Sequence, residues 1–84
     1  MQDVENCVNR AMEALGCGIR AKVENGDMVV RDLVLIDDGE GFYLVYEVSN
    51  PETPAYTLPA GDPSAVAGVV ALHIARRLIM SALE

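Results

Sequence analysis

The segment from residue 62 to about residue 83 constrains the fold of this chain most strongly. Asp62 and Pro63 form a helix start, because an aspartate can cap the free amides of the first turn and proline suits the first helical position. The first three turns, residues 65–75, are apolar on almost every side except at His73. A helix that is apolar all round must be buried, and a single sheet covers only one of its flanks. The other flank therefore needs the first helix of the chain or a second subunit.

Small residues form a stripe along this helix, on which another backbone could lie close. They are Ala67, Gly68, Ala71 and Ala75. The stripe is a possible homodimer seam or the seat of the first helix, and the sequence leaves both interpretations open. The helix is not predicted to span a membrane, because His73, Arg76 and Arg77 interrupt the run before it reaches about 18 apolar residues.

The rest of the chain shows one more helical pattern and several alternating ones. Apolar residues at spacings of three and four predict an amphipathic first helix that ends at Gly16 in the left-handed conformation. Alternation predicts three strands, at residues 19–24, 28–36 and 42–48. Residues 55–58 could add a short edge strand. The predicted fold class is α+β in a single domain, 1–84, with the order helix, three-stranded antiparallel β-meander, helix (αβββα) and both helices packed on one face of the sheet.

An Asn-Gly dipeptide at 25–26 marks the first hairpin turn. A two-residue turn would put like charges opposite each other, including Glu24 against Asp27. A three-residue turn puts Arg20 opposite Asp32 instead, which is favourable. The charge pattern therefore predicts the longer turn.

The charge balance bears on partners. Thirteen acidic and six basic residues give a net charge of −7, which repels nucleic-acid phosphates and anionic membranes, so neither is a predicted partner. The same charge favours a protein partner with a basic surface, or simply keeps the protein soluble. Cys7 and Cys17 would lie about 15 Å apart along a straight helix, too far for a disulfide, which predicts free thiols and a cytoplasmic location. The acidic N-terminal residues show no secretory signal.

Catalytic and metal-binding motifs are not found. The chain has no P-loop, GxGxxG or GxSxG. We expect His73, the only histidine, to be a packed or rim residue bonded to backbone or to an acid of the meander rather than a catalytic base. Asp37, Asp38 and Glu40 lack the EF-hand spacing, and two cysteines with one histidine are too few for a closed zinc site. The sequence therefore predicts no enzyme activity, no cofactor and no metal site.

Acidic and aromatic residues of the meander form the predicted partner-binding surface, since acids steer basic partners and aromatics anchor interfaces. These residues are Asp37, Asp38, Glu40, Tyr43, Glu47, Glu52 and Tyr56. A scatter of solvated charges is the competing interpretation.

Two resemblances accompany this prediction. The predicted element order resembles that of the double-stranded-RNA-binding domain, but that family places basic residues at the start of its second helix, where this chain has Asp62 and Pro63. No RNA binding is therefore implied. The acids of the meander, with Ala60-Gly61-Asp62-Pro63 leading into an alanine-rich helix, also resemble small acidic phage-encoded inhibitor proteins of the anti-CRISPR type.

We therefore expect a non-enzymatic protein–protein interaction module, and the second resemblance implies an inhibitor that blocks a basic nucleic-acid-binding surface of a larger partner. The alternative is a small homodimeric structural or assembly protein that associates through its apolar C-terminal helix.

Overall fold

The computed structural model describes all 84 residues, from Met1 to Glu84. Two helices flank five strands along the chain: α1 Gln2–Leu15, β1 Lys22–Glu24, β2 Asp27–Val30, β3 Leu33–Asp37, β4 Phe42–Glu47, β5 Tyr56–Pro59 and α2 Pro63–Leu83. The strands form one antiparallel sheet in the order β1-β2-β3-β4-β5. The α+β class and both helices are confirmed. The prediction of a three-stranded sheet is wrong, because the sheet has five strands.

One additional strand arises because the run 28–36 divides into two. Val30 pairs with Leu33 across a two-residue turn formed by Arg31 and Asp32. Neighbouring residues of a strand point to opposite faces, so an unbroken strand would have sent one of these two charges into the core. The turn leaves Arg31 exposed and Asp32 half-buried. The other additional strand, β5, lies close to the expected edge strand at 55–58.

The first hairpin has the shorter turn, so the predicted three-residue turn is wrong. Asn25 and Gly26 both take positive φ, at 53° and 85°, and Glu24 lies opposite Asp27. This turn type matches the right-handed twist of the strands, and the facing acids sit at the edge of the sheet, where water screens their repulsion. Arg20 precedes β1 and has no strand partner.

Both helices pack on the same face of the sheet and contact each other. The core contains fourteen residues: Val4, Val8, Met12, Ala21, Met28, Val30, Leu33, Leu35, Tyr43, Val45, Val66, Ala67, Val70 and Ile74. α2 is thus covered on one flank by the sheet and on a second by α1. Its remaining flank is uncovered and apolar, with Leu72, Ile79, Met80 and Leu83 all exposed.

α2 is long and apolar enough, by length and composition alone, to cross a bilayer, with a mean hydropathy of 1.6 over its best window. A core helix of a soluble protein passes the same test, and 28% of this window is buried inside the fold.

The linker between α1 and β1 is held by side chains of α1. Gly16 ends α1 in the left-handed conformation, at φ 66°, as predicted. Further along, the Asn9 amide makes two bonds to Ala21: its Oδ1 accepts from the backbone N–H at 2.7 Å and its Nδ2 donates to the carbonyl at 3.2 Å. Glu5 Oε2 accepts from the N–H of Val23 at 3.0 Å. The outer edge of β1 is therefore bonded to α1.

Candidate functional site

The face of the sheet turned away from the helices is apolar. Met28 and Val30 point into the core, so their neighbours on β2 to β4 point outward by the alternation of strands. We call this surface the outer face, formed by Val29, Val34, Ile36, Phe42, Leu44 and Tyr46. Cross-strand pairing brings these residues together, as in Val34 with Tyr46 and Ile36 with Leu44. No helix covers them; Phe42 is 43% exposed and the other five are half-buried.

This arrangement departs from the usual antiparallel sheet on one layer of helices. Such a sheet is apolar toward the core and polar toward water. Here a groove of about 490 Å³ lies along the outer face, lined by Val34, Ile36, Tyr46, Glu47, Val48 and Pro51. The outer face therefore has the composition of a surface that a second layer would cover.

Acidic residues gather at one end of the sheet. Consecutive strands of the sheet are antiparallel, so their turns alternate between its two ends. The β1–β2 and β3–β4 turns therefore lie at the same end. The N-terminal ends of both helices lie there too. We call this surface the acidic end, formed by Asp3, Glu24, Asp27, Asp37, Asp38, Glu40 and Asp62, seven of the thirteen acids in the chain.

Two arginines lie away from the acidic end. Arg31 occupies the β2–β3 turn at the opposite end of the sheet, and Arg77 pairs with Glu47 at the end of β4, also opposite. Acids and bases are mixed at the opposite end, so a positively charged surface would be attracted to the acidic end first.

The β3–β4 turn within the acidic end is ordered by its own carboxylates. Asp37 Oδ1 accepts from the N–H of Gly39 at 2.9 Å. Asp38 Oδ1 accepts from the N–H groups of Glu40 and Phe42, at 2.7 and 3.1 Å. Each aspartate uses one oxygen for the turn and leaves its charge directed to solvent.

The predicted partner-binding residues do not form one surface. Asp37, Asp38 and Glu40 come together at the acidic end, whereas Glu47 and Glu52 lie toward the opposite end. Tyr43 lies on the core face, only 6% exposed, so its side chain does not reach a partner in this fold. Burial raises the pKa of Tyr43 above its usual value, and the nearby charges of Asp37 and Asp3 raise it further. Tyr56 is half-buried against α2.

Sequence reasoning missed the apolar members of the outer face. A usable signal was present: residues 33–36 are Leu-Val-Leu-Ile, apolar at both odd and even positions. Such a run indicates a strand covered on both faces.

The predicted small-residue stripe is divided between the inside and the outside of the protein. Ala67 is buried in the core, Ala71 and Ala75 are half-buried, and Gly68 is exposed. Because α1 already packs on α2, Ala67 is not available to a second subunit. The exposed apolar side chains of α2, beginning at Leu72, offer the larger surface for association.

A polar cluster lies where α2 crosses the end of the sheet opposite the acidic end. His73 is 8% exposed, and its Nδ1 is 3.0 Å from the hydroxyl oxygen of Tyr56. Its other ring nitrogen, Nε2, is 3.5 Å from Asp32 Oδ2. Glu47 completes the cluster and is bonded to Arg77. His73 lies beside an acid, Asp32, but its hydrogen bond is to the Tyr56 hydroxyl, so the predicted bond to backbone or to an acid of the meander is not formed.

Two atoms of the cluster have no hydrogen-bond partner. They are His73 Nε2 and Asp32 Oδ1, and both are buried. Buried polar atoms are normally bonded, so this pair has unused capacity to bind a proton, a water or an ion.

Comparison with protein-family models, with curated proteins and with solved structures finds no match to this chain.

Proposed function

We propose that this protein is a non-enzymatic protein–protein interaction module that binds a partner with a basic surface through its outer face and its acidic end. The observation that carries this proposal is the sheet that is apolar on both faces but covered by helices on only one. An uncovered apolar surface framed by charge is typical of a binding site on a small protein.

The dimensions of the sheet support the use of both surfaces together. Five strands of three to six residues, spaced about 4.8 Å apart and about 15 Å long on average, give a footprint on the order of 300 Å². A stable interface buries roughly 800 Å² on each partner. The outer face alone is therefore too small, and the adjoining acidic end supplies further area together with charge complementarity.

The form of this function that we favour is inhibition of a nucleic-acid-binding protein. A phosphate-binding groove is lined by Lys and Arg, and the acidic end would compete for it by the same electrostatic attraction. The resemblance to phage-encoded inhibitors of the anti-CRISPR type supports this form. A partner bound in this way would lose affinity for nucleic acid in the presence of the protein.

The test replaces the charge of the acidic end while keeping its turn. A variant with Asp37→Asn, Asp38→Asn and Glu40→Gln retains the side-chain oxygens that accept the turn bonds and changes the net charge from −7 to −4. The matched control removes three acids elsewhere and reaches the same net charge: Glu13→Gln, Glu52→Gln and Glu84→Gln.

Photo-crosslinking residues at Ile36 and Tyr46 would first capture the partner in cells of the source organism, with a crosslinker at the exposed Arg10 of α1 as control.

Association of the purified pair is then measured at two salt concentrations. We expect the acidic-end variant to bind at least about tenfold more slowly at low salt and the control to bind like the original protein. Equal rates for the two variants, or equal crosslinking from Arg10, would contradict the proposal.

Homodimerisation through α2 is the second candidate, favoured by the exposed stripe that includes Leu72, Ile79 and Leu83. Sedimentation across dilution tests it directly. A dimer that dissociates in the Leu72→Lys variant would establish α2 as the seam, and a monomer at every concentration would eliminate this function.

A further inference from the structure

The polar cluster beneath α2 brings three side chains of metal-ligating type together. Asp32, Glu47 and His73 each place a possible ligand atom within 4.8 Å of the other two. Each comes from a different element: the β2–β3 turn, the end of β4 and the middle of α2. We propose that these three residues bind a divalent transition-metal ion, with Zn²⁺ as the best match.

The buried histidine is the observation that distinguishes this cluster from an ordinary group of surface acids. His73 is more than nine-tenths buried, and its Nε2 points toward Asp32 without bonding to anything. Asp32 Oδ1 is also buried and unpaired. A metal ion bound to Nε2 and to the carboxylate of Asp32 would supply the missing partner of Nε2.

Tyr56 is placed so that it can hold the histidine in the form that a metal requires. A metal-bound imidazole donates its second ring N–H to a neighbouring acceptor, which orients the ring. The hydroxyl oxygen of Tyr56, 3.0 Å from Nδ1, is placed to accept this bond. In that tautomer the lone pair of Nε2 is directed at the carboxylate of Asp32.

The separations fit an ion after a small contraction. Ligand atoms bound to Zn²⁺ at 2.0 to 2.1 Å in tetrahedral geometry lie about 3.3 Å from one another. His73 Nε2 and Asp32 Oδ2, at 3.5 Å, are already near this separation. Glu47 sits on half-exposed surface, where rotation of its carboxylate can close the remaining gap.

Two arginines adjust the charge of the site. Arg77 bonds to Glu47, and Arg31 lies 3.8 Å from Asp32 Oδ1. A carboxylate has two oxygens and about four lone-pair positions, so Glu47 can hold Arg77 and an ion at once. Arg31 is exposed and its contact is too long for a hydrogen bond, so it can move aside. The two positive charges weaken cation binding, and removing Arg31 should strengthen it.

Solvent reaches the cluster from two sides. A cleft of about 420 Å³ opens beside Tyr56 and His73, and a smaller one of about 210 Å³ opens beside Arg31 and Asp32. These clefts give an ion a route to the site and room for water in the coordination positions that the protein leaves open.

The donor set selects the class of ion. One imidazole nitrogen with two carboxylates suits Zn²⁺ and similar transition metals, whereas Ca²⁺ and Mg²⁺ prefer oxygen ligands alone. Mg²⁺ and Ca²⁺ are therefore controls that should not compete.

The experiment titrates Zn²⁺ into the full chain carrying Cys7→Ser and Cys17→Ser, which removes adventitious thiol ligands. Calorimetry gives stoichiometry and affinity, and the imidazole nitrogen signals of His73 in NMR report which ring nitrogen is bound. We expect one ion per chain bound through Nε2, no competition from Mg²⁺, and a rise in the melting temperature.

Variants separate the proposed site from other zinc binding. Asp32→Asn is nearly isosteric and lies on half-exposed surface, so it should fold, which circular dichroism will verify. It should weaken binding at least tenfold, and Tyr56→Phe about tenfold. Glu52→Gln, which removes an exposed acid of the β4–β5 loop, should leave binding unchanged, and Arg31→Gln should strengthen it. Equal affinity in the Asp32→Asn variant, binding through Nδ1 or no binding below about 1 mM would overturn the proposal.

Discussion

Replacing Asn9 by alanine tests how the sheet is attached to α1. The Asn9 side chain satisfies both the N–H and the C=O of Ala21, a residue that is buried and precedes β1. The Asn9 side chain makes no other hydrogen bond, and no other residue bonds to the N–H or the C=O of Ala21. The substitution therefore removes two hydrogen bonds and leaves a buried donor and a buried acceptor unpaired.

The magnitude follows from these two bonds. Each net hydrogen bond contributes about 1 kcal/mol, and an unpaired buried group costs about 1 to 3 kcal/mol. The higher helix propensity of alanine offsets about 0.5 kcal/mol. The two unpaired groups together would cost about 1.5 to 5.5 kcal/mol after this offset. Asn9 is only half-buried, so water can reach the freed groups, and we expect a net loss near the low end, about 2 kcal/mol, from a total stability of roughly 4 to 13 kcal/mol for a domain of this size.

Urea unfolding followed by circular dichroism measures this loss. With a slope of about 1 kcal/mol/M, the midpoint should fall by roughly 2 M. Asn6→Ala is the control, because Asn6 is exposed on the same helix and makes no side-chain hydrogen bond. The stability of this variant should rise slightly, since alanine has the higher helix propensity. Hydrogen exchange should show faster exchange of the Ala21 amide in the Asn9 variant alone. A loss below about 0.5 kcal/mol, with the Ala21 amide still protected, would refute the reasoning.

Three further predictions concern the two faces and the turns of the sheet. Leu35→Ala should lower the free energy of unfolding by about 2 to 5 kcal/mol and Ile36→Ala by less than about 1.5 kcal/mol, because only Leu35 is fully buried. Equal losses for the two variants in urea unfolding would contradict the assignment of faces. The raised pKa of Tyr43 favours its neutral form in the folded protein, so the free energy of unfolding should decrease as the pH rises above 10.0, the usual value for tyrosine. Tyr43→Phe should remove that part of the decrease and Tyr46→Phe should not, which urea unfolding at neutral and alkaline pH will show. Arg31→Gly should stabilise the protein by about 0.5 to 1 kcal/mol, because Arg31 has a φ of 52°, a conformation that is unfavourable for any residue with a side chain. A loss of stability would show that the contact of Arg31 with Asp32 outweighs this strain.

Local signals predicted the helices correctly. Asp62 accepts from the N–H of Ala65 at 3.1 Å, and Pro63 is the first helical residue, so the start of α2 is set by neighbours in sequence. Gly16 ends α1 for an equally local reason. These features need no knowledge of tertiary structure.

The number of strands was harder to predict because the turn at Arg31 and Asp32 contains no glycine, proline or asparagine. Its backbone conformation is imposed by pairing of the flanking strands. The faces of β4 were also hard to predict. The alternation marked Phe42, Leu44 and Tyr46 as the more apolar set, yet Tyr43 and Val45 face the helices.

The acidic end and the polar cluster differ in how far the sequence predicts them. Asp37, Asp38 and Glu40 are neighbours in sequence, so their proximity could be predicted. Asp32 and His73 lie 41 positions apart and meet only because the chain folds back beneath α2. Contacts of this kind depend on the packing of elements and leave no local pattern.

The edges of the sheet restrict how this protein can meet others. On β1 the outward N–H of Val23 is already taken by Glu5, and on β5 Pro59 has no N–H to offer. A partner strand therefore finds few free groups with which to lengthen the sheet, and copies of the protein are discouraged from joining into continuous ribbons at high concentration. Recognition by strand addition is therefore disfavoured relative to recognition of side chains.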